Sequence, residues 1–333
     1  MRTGPLRGTG VNVTEMAFGA AGIGNLYRPV RDEDAAAAVD AAWDAGIRAF
    51  DTAPHYGLGL SERRLGAALR DRPRDAYTVS TKVGRLLVPD DTGGDDLVNG
   101  FAVPATLRRV WDFSADGVRR SLEESLERLG LDRVDIALLH DPDGHAPQAL
   151  REGYPALERL RGEGVVGAIG IGMNQCALPA LFLRETDIDV VLLAGRYTLL
   201  EQEGLNEVLP QATDRGRCVV IGGVFNSGLL VDPKPDATYD YAIAPEPVRQ
   251  RALRLKSVTE RHGVPLRAAA LHFPLGHTAV RSVLTGARSA AEVRDNVEQM
   301  SRPVPAALWD DLRSQGLLAP DTPVPSDPTR EPS

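Results

Sequence analysis

Residues 51–70, DTAPHYGLGLSERRLGAALR, begin with a carboxylate at the end of a short apolar run, reach a tyrosine five residues later and then enter a helix. A polar side chain where a strand stops, followed by a loop and a helix, is the repeating unit of an alternating β-α chain. The unit recurs in both directions. Upstream, residues 15–24 (EMAFGAAGIG) read as a strand emptying into a glycine-rich turn. Residues 33–45 (EDAAAAVDAAWDA) read as a helix of strong formers closed by Gly46. Residues 47–50 are the apolar run before Asp51, and Ser61 is expected to cap the helix that runs to Leu69, with Pro73 past its stop.

Downstream, residues 77–83 (YTVSTKV) are β-branched and end in a lysine, which predicts a third strand. The next thirty or so residues show neither periodicity, far longer than an ordinary βα connection, and carry Phe101, Trp111 and Phe113. Aromatic residues in such a stretch favour a lid. Ser114 is expected to cap a helix over 115–129, with Val118, Leu122, Leu126 and Leu129 on one face and Gly130 at its end. Strands then follow at 134–139, 165–171, 188–193, 218–221 and 282–284, and helices at 147–161, 178–184, 205–214, 245–261, 266–273 and 290–300.

At 333 residues and 43% hydrophobic content the chain suits one α/β barrel or two smaller domains. Eight strands alternating with helices, with no dividing linker, favour a closed (β/α)8 barrel over an open sheet. The expected organisation is one domain over residues 1–316 and a Pro-rich, flexible tail over 317–333. A net charge of -8 without a basic run excludes a nucleic-acid surface. Two cysteines, Cys176 and Cys218, make no disulfide framework, and neither a signal peptide nor a spanning segment is visible, so a cytoplasmic location is expected with no membrane partner. Lysine occurs only at positions 82, 234 and 256, which draws attention to Lys82 at the end of an apolar strand.

In a barrel of this kind the active site lies at the C-terminal ends of the strands. Asp51, Lys82 and His140 stand at the ends of strands two, three and four, and Tyr56 lies in the loop after strand two. A tyrosine titrates far above neutrality unless a cation stabilises its phenolate. Lys82 is placed to be that cation, Asp51 to hold the lysine charged, and His140 to hydrogen-bond a substrate oxygen beside the tyrosine hydroxyl. Each residue alone has a structural reading, as a turn cap, core aromatic, exposed charge or satisfied core histidine. Their joint occurrence on neighbouring strand ends favours chemistry: proton transfer at a carbinol or carbonyl oxygen while a hydride moves. Asp141, Asp143 and His145 cluster without metal-ligand spacing and read as a solvated loop, so no metal is expected.

DTAPHYGLGLSERRLGAALR, the STKVG around Lys82 and the VDIALLHDPD around His140 together resemble the three signature regions of the aldo-keto reductases, and the resemblance extends to about Met300. It implies a TIM barrel, a catalytic tetrad of Asp51, Tyr56, Lys82 and His140, and a nicotinamide cofactor bound without a Rossmann domain. The GxG sequences at 22–24, 57–59 and 170–172 accordingly never complete a GxGxxG fingerprint. By the same resemblance Asn174 and Gln175 bind the nicotinamide carboxamide, and Tyr197 stacks on its ring. Ala194 stands where many relatives have a glutamine. Asn226, Ser227 and Gly228 lie over the pyrophosphate, and Asp295 and Asn296 contact the adenine. Gly286, Ala287 and Glu292 occupy positions where NADP-dependent relatives commonly have lysine, serine and arginine. A carboxylate at Glu292 would repel a 2′-phosphate, which favours NAD, while neighbouring Arg288 leaves NADP open.

HDPD, GMNQ and AGRYTLLEQ look most like the branch that oxidises sugar hemiacetals at C1, with pyridoxal oxidation close by. That implies a small-molecule sugar or aldehyde as the partner, with His55, Trp111 and Phe113 as candidate pocket residues. The competing expectations are an NADP-dependent aldehyde or ketone reductase using the same tetrad in reverse, and a non-catalytic, cofactor-binding regulatory subunit. Oligomeric state is open.

Overall fold

A computed structural model of the chain describes residues 1–240 and 242–325. Eight parallel strands close into a barrel: β1 (Met16–Gly19), β2 (Ala49–Asp51), β3 (Thr78–Val83), β4 (Val134–His140), β5 (Val166–Met173), β6 (Val190–Ala194), β7 (Cys218–Gly222) and β8 (Val280–Gly286), each hydrogen-bonded to the next and β8 to β1. The surrounding helices include α1 (Asp32–Asp44), α2 (Leu60–Leu69), α3 (Ala115–Leu129), α4 (Tyr154–Gly162), α5 (Ala177–Glu185), α6 (Val208–Asp214), α7 (Glu246–Arg261), α8 (Leu266–His272), α9 (Ala290–Ser301) and α10 (Ala306–Ser314). The expected (β/α)8 architecture is present. No helix among the described residues is long and apolar enough to cross a membrane.

Strand period two sorts the side chains into two cores. Ala49, Ile136, Leu138, Ala168, Leu192 and Val220 face inward and fill the barrel. Phe18, Phe50, Val79, Leu139, Ile169 and Val191 face outward and pack against the helices. The parity of β3 then places Ser80 and Lys82 inside, with Val79 and Val83 outside, and the parity of β4 places His140 inside after Ile136 and Leu138. The register sets Asp51 opposite Ser80, Lys82 opposite Leu138 and His140 opposite Gly172. Three polar groups therefore rise around the same mouth of the barrel.

Several segments depart from expectation. The polar start forms an antiparallel hairpin, Thr3–Pro5 with Asn12–Thr14, whose Leu6, Val11 and Val13 plug the barrel interior from below. The stretch after β3 is ordered into two antiparallel ladders, Arg85–Pro89 with Leu107–Trp111 and Asp95–Asp96 with Phe101–Pro104. Gly84 makes that departure possible: its φ is +95°, and a Cβ there would lie 2.1 Å from the Phe113 ring. Ser61 is not a cap. The helix begins at Leu60 after left-handed Gly59, and the Ser61 hydroxyl donates to Ala20 O at 2.8 Å and lies 2.8 Å from Thr52 Oγ1, tying two active-end loops together. The helix expected over 147–161 is interrupted by one wide turn at Ala149–Gly153. Ser114 does cap α3, accepting from Gly117 N at 3.0 Å.

The segment read as a tail is packed in its first part. Leu317 and Leu318 are buried, Arg251 Nη2 donates to Leu317 O at 2.6 Å, and Arg313 Nη2 donates to Thr322 O at 2.8 Å. Gly316, at φ +66°, turns the chain back toward the helices. Burial of the two leucines outweighs the proline-rich composition up to residue 325, so the boundary expected after residue 316 does not separate packed from unpacked chain. Residues 326–333 of the expected tail lie outside the described residues.

Candidate active site

Lys82 is the most deeply buried charged group at the barrel mouth. Its Nζ donates to Asp51 Oδ2 at 2.7 Å and to Thr52 O at 2.9 Å, and Asp51 Oδ1 accepts from Ser80 Oγ at 2.9 Å. Burial works to lower the ammonium pKa, but Asp51 and Tyr56 together more than reverse this and hold it above the ordinary lysine range. The lysine stays charged.

Tyr56 sits over this cation, with Lys82 Nζ 4.8 Å from its ring centroid. Its loop is placed by Gly57, at φ +62°, where a Cβ would strike Gly24 O at 2.2 Å. The two loops can meet this closely only through glycine. The net direction at Tyr56 is opposite to the one expected from the lysine alone. Burial raises the phenol above its usual value, and Lys82 opposes that shift without overturning it. In this state Tyr56 is a neutral phenol near neutrality.

The His140 ring packs edge-on against Tyr56 at 5.9 Å between centroids and against the His55 ring at 5.7 Å. Burial first, then Arg85 and Lys82, depresses His140 far below the ordinary histidine range, so it is a neutral imidazole. Its Nδ1 is buried without a partner among the described residues, and its Nε2 lies 3.5 Å from Asp141 Oδ2. With a carboxylate facing Nε2 and no donor or acceptor facing Nδ1, Nε2 is the nitrogen placed to carry the proton of the neutral ring. Asp141 adopts a left-handed φ of 41° and is paired with Arg85 Nη2 at 2.5 Å. Its carboxyl is raised by burial, and Arg85 opposes the shift.

These groups open into a cavity of about 550 Å³ whose lining includes His55, Tyr56, Lys82, His140, Asp141 and Asn174, with Phe101 and Leu97–Asn99 from the long loop and Ala21 and Tyr27 from the loop after β1. His55 and Phe101 meet edge to face at 5.2 Å. The tetrad is thus brought together, and His55 and Asn174 join it. Other expected residues do not. Phe113 is completely buried, packed against Gly84 and the His145 ring. Trp111 is 42% exposed and lies beneath the Arg85 guanidinium, away from the cavity lining. Gln175 is exposed and does not line the cavity.

Tyr197 is the largest displacement from expectation. It is fully buried against Phe273 at 5.2 Å and His277 at 5.9 Å, with no partner for its hydroxyl among the described residues, so its ring is enclosed by protein. The chain turns at Gly195, φ +73°, directly after β6, and this sends Tyr197 toward the helix layer. Phe101 supplies the aromatic wall instead. The Arg85–Asp141 and Arg109–Asp96 pairs had no sequence signal, whereas Phe101 was flagged by its place in the long loop.

Beyond β7 and β8 the backbone offers a second kind of site. Asn226, Ser227 and Gly228 have successive φ values of 45°, 57° and 96°. Asn226 N donates to Gly223 O at 2.8 Å and Gly228 N to Phe225 O at 3.0 Å, so of these three amides it is that of Ser227 that is left to meet an anion such as the diphosphate of a dinucleotide. The Asn226 side chain is used internally, accepting from Thr198 Oγ1 at 2.7 Å and donating to Gly195 O at 3.2 Å, so any ligand contact there falls to the backbone. Glu292 accepts from Arg288 N at 2.8 Å and is paired with Arg288 and Arg28 at 3.2 and 3.3 Å. Asp295 and Asn296 are both held by Arg267, Asn296 at 2.9 Å. Asn174, the Ser227 amide and the carboxylates of α9 are donors and acceptors of the kinds a nicotinamide dinucleotide takes.

A model of the aldo/keto reductase family matches residues 15–315. The chain is 48% identical over 315 residues to a D-threo-aldose 1-dehydrogenase of Pseudomonas sp, covering 93% of this chain and 96% of that protein. It is 41% identical over 331 residues to a pyridoxal 4-dehydrogenase of Microbacterium luteolum, at 93% and 96% coverage. Among solved structures, a glycerol dehydrogenase of Gluconobacter oxydans superposes with a TM-score of 0.77 over 99% of both chains at 23% identity, a likeness of fold.

Proposed function

The chain belongs to the aldo/keto reductase family and is an oxidoreductase, and on that premise we propose that it oxidises an aldose, in its cyclic hemiacetal form, at C1 to the lactone with NAD. The observation that carries this reading is the charge balance of the cavity. Its charged lining side chains among the described residues, Lys82 and Asp141, are each paired with a protein group, and its two histidines are neutral. Such a cavity suits an uncharged polyhydroxy ligand and holds no spare cation for a phosphate or carboxylate.

In the oxidising direction Tyr56 acts from its phenolate form: the anomeric O–H gives its proton to the phenolate oxygen, which becomes a phenol, the C1–H pair departs as hydride, and the C1–O bond becomes a carbonyl. Nicotinamide, when bound in its oxidised form, supplies the hydride acceptor. Lys82 stabilises the phenolate form of Tyr56, and Asp51 fixes the lysine in place. His140 donates from Nε2 to the reacting oxygen and holds it against Tyr56. Asn174, the turn Asn226–Gly228 through the Ser227 amide, Glu292, Asp295 and Asn296 are the residues that would hold the cofactor. Glu292 supports NAD because an added 2′-phosphate would meet its carboxylate. His55 and Phe101 face the sugar.

Pyridoxal is the second reading, favoured by the 41% identity to a pyridoxal 4-dehydrogenase and by the aromatic Phe101 at the cavity wall. The test is formation of reduced cofactor from NAD or NADP with L-fucose, D-arabinose, galactose and pyridoxal. Sugar oxidation with NAD is expected; reduction of simple aldehydes with NADPH and no sugar oxidation would overturn the proposal. Tyr56→Phe should retain cofactor affinity and lose nearly all turnover.

A further inference from the structure

Arg109 has no role in the chemistry above and does not line the cavity, yet every nitrogen of its guanidinium group is engaged just behind the wall. Its Nη1 and Nη2 donate to Asp96 Oδ1 and Oδ2 at 2.7 and 2.6 Å, and both partners of this ion pair are buried. Asp96 Oδ1 also accepts from Asn99 Nδ2 at 2.7 Å. With its remaining donors Arg109 grips one residue twice: Nη2 donates to His55 O at 2.8 Å, and Nε donates to His55 Nδ1.

The last bond settles a question that imidazoles usually leave open. An arginine has no acceptor and does not lose its proton, so His55 Nδ1 must be the acceptor and carries no hydrogen. The proton of the neutral ring is then on Nε2. Burial, followed by Arg85, Arg109 and Lys82, pushes His55 down to about 2, which keeps the ring neutral at any working pH. His55 lines the cavity, its ring centroid 5.7 Å from that of His140 and 6.0 Å from that of Tyr56. Two neutral histidine donors thus stand side by side, with ring centroids 5.9 and 6.0 Å from that of the catalytic tyrosine. One substrate can meet both, with His140 at the reacting oxygen and His55 at an oxygen on the next carbon.

The geometry points to His55 as the residue that selects substrates bearing a hydroxyl on the carbon next to the reacting one, with Arg109 and Asp96 as the positioning pair that fixes its tautomer. This deepens the aldose reading and rests on it for the identity of the substrate. A site built to donate to a substrate oxygen discriminates strongly against the analogue that lacks it, because the donor is then left unpaired in a desolvated cavity. Binding the selecting side chain to the long loop through a buried ion pair also makes substrate choice a property of that loop, while the tetrad belongs to the strands.

The experiment has one arm that needs no substrate. In the 15N-labelled protein, His55, identified among six histidines by comparison with His55→Phe, should show a protonated Nε2 and an unprotonated Nδ1. In Asp96→Asn/Arg109→Met, which removes both charges together and leaves Asn99 an acceptor, that signal should move toward a mixture of tautomers. A wild-type His55 protonated on Nδ1, or a signal unmoved in the double variant, overturns the assignment. In the second arm, His55→Phe should lower kcat/KM for an aldose about tenfold or more and change it less than about threefold for the matching 2-deoxy-aldose. The double variant should lose part of the same discrimination, mainly in KM. Equal losses on both sugars would refute the selecting role. Absence of sugar turnover in the wild type would instead refute the aldose reading, with the tautomer arm still informative.

Discussion

Replacing Lys82 by methionine should move the alkaline limb of substrate oxidation upward by about 2.5 pH units. The Lys82 ammonium lies 4.8 Å from the Tyr56 ring centroid. At an effective dielectric near 20, a unit charge at that distance is worth about 3.5 kcal/mol, or about 2.5 pH units. The sign follows from the charge: the cation favours the phenolate, and burial already holds Tyr56 above its usual range. Without the lysine the phenol rises further. Oxidation needs the phenolate, so at a fixed pH below the limb the rate should drop about 300-fold. Stability falls as well, because the single substitution leaves Asp51 buried with only the Ser80 hydroxyl as a side-chain partner; breaking a buried pair costs about 3–5 kcal/mol. Asp51→Asn/Lys82→Met separates the two effects. It removes the pair as a unit, restoring much of the stability, and it also removes a carboxylate that raises Tyr56, so its limb should shift by less than that of the single variant. The assay is kcat/KM from cofactor absorbance at fixed pH values between about 6 and about 11, where the shift of the limb is read as the drop in rate at each pH, with thermal unfolding alongside. A folded Lys82→Met protein whose limb moves down, or by less than about half a unit, would refute the electrostatic role of Lys82.

Glu292→Gln should raise the ratio of NADP to NAD efficiency about tenfold, because it releases Arg288 and Arg28 from the carboxylate they now share; an unchanged ratio would place the ribose pocket elsewhere. Tyr197→Phe should leave cofactor affinity unchanged and stabilise the fold by up to about 1 kcal/mol, since it removes a buried hydroxyl without a partner. Weakened cofactor binding, measured by fluorescence titration, would return Tyr197 to the ring-stacking role that its motif implies. Gly84→Ala should destabilise by about 2–4 kcal/mol in chemical denaturation, combining a left-handed φ with a collision against the Phe113 ring. If it unfolds like wild type, the departure of the long loop from β3 does not depend on that glycine.

The fold was legible because its signal is repetitive. Every barrel strand is an apolar run and most helices carry an apolar stripe, so an error at one element, such as the wide turn at Ala149–Gly153 or the misplaced cap at Ser61, leaves the alternation intact. The segments that were missed lack repetition. The N-terminal hairpin contributes Leu6, Val11 and Val13 to the barrel floor, too few residues at too irregular a spacing to show a period. The two ladders of the long loop are short, and one holds a register shift that breaks alternation. Leu317 and Leu318 sit in a proline-rich context whose composition speaks for disorder, while the groove that receives them comes from elsewhere in the chain.

The site divides along the same physical line. Asp51, Lys82 and His140 stand inside strands, where period two carries direction forward from one residue to the next. Once Ile136 and Leu138 are inside the barrel, His140 is inside as well. Direction is lost at the first left-handed residue. Gly195 intervenes between β6 and Tyr197, so a motif that aligns Tyr197 with a stacking aromatic says where its Cα lies and not which way the ring points. Phe113 fails for a related reason, lying two residues past the end of the Leu107–Trp111 strand, where period two no longer sets its direction. The ion pairs were beyond reach from either direction. Arg85 and Asp141 are 56 residues apart, and no local pattern links them. Among the described residues those pairs also leave the cavity without a free charge, and it is on this compensation, which can be read only in three dimensions, that the proposed preference for an uncharged over a phosphorylated substrate rests.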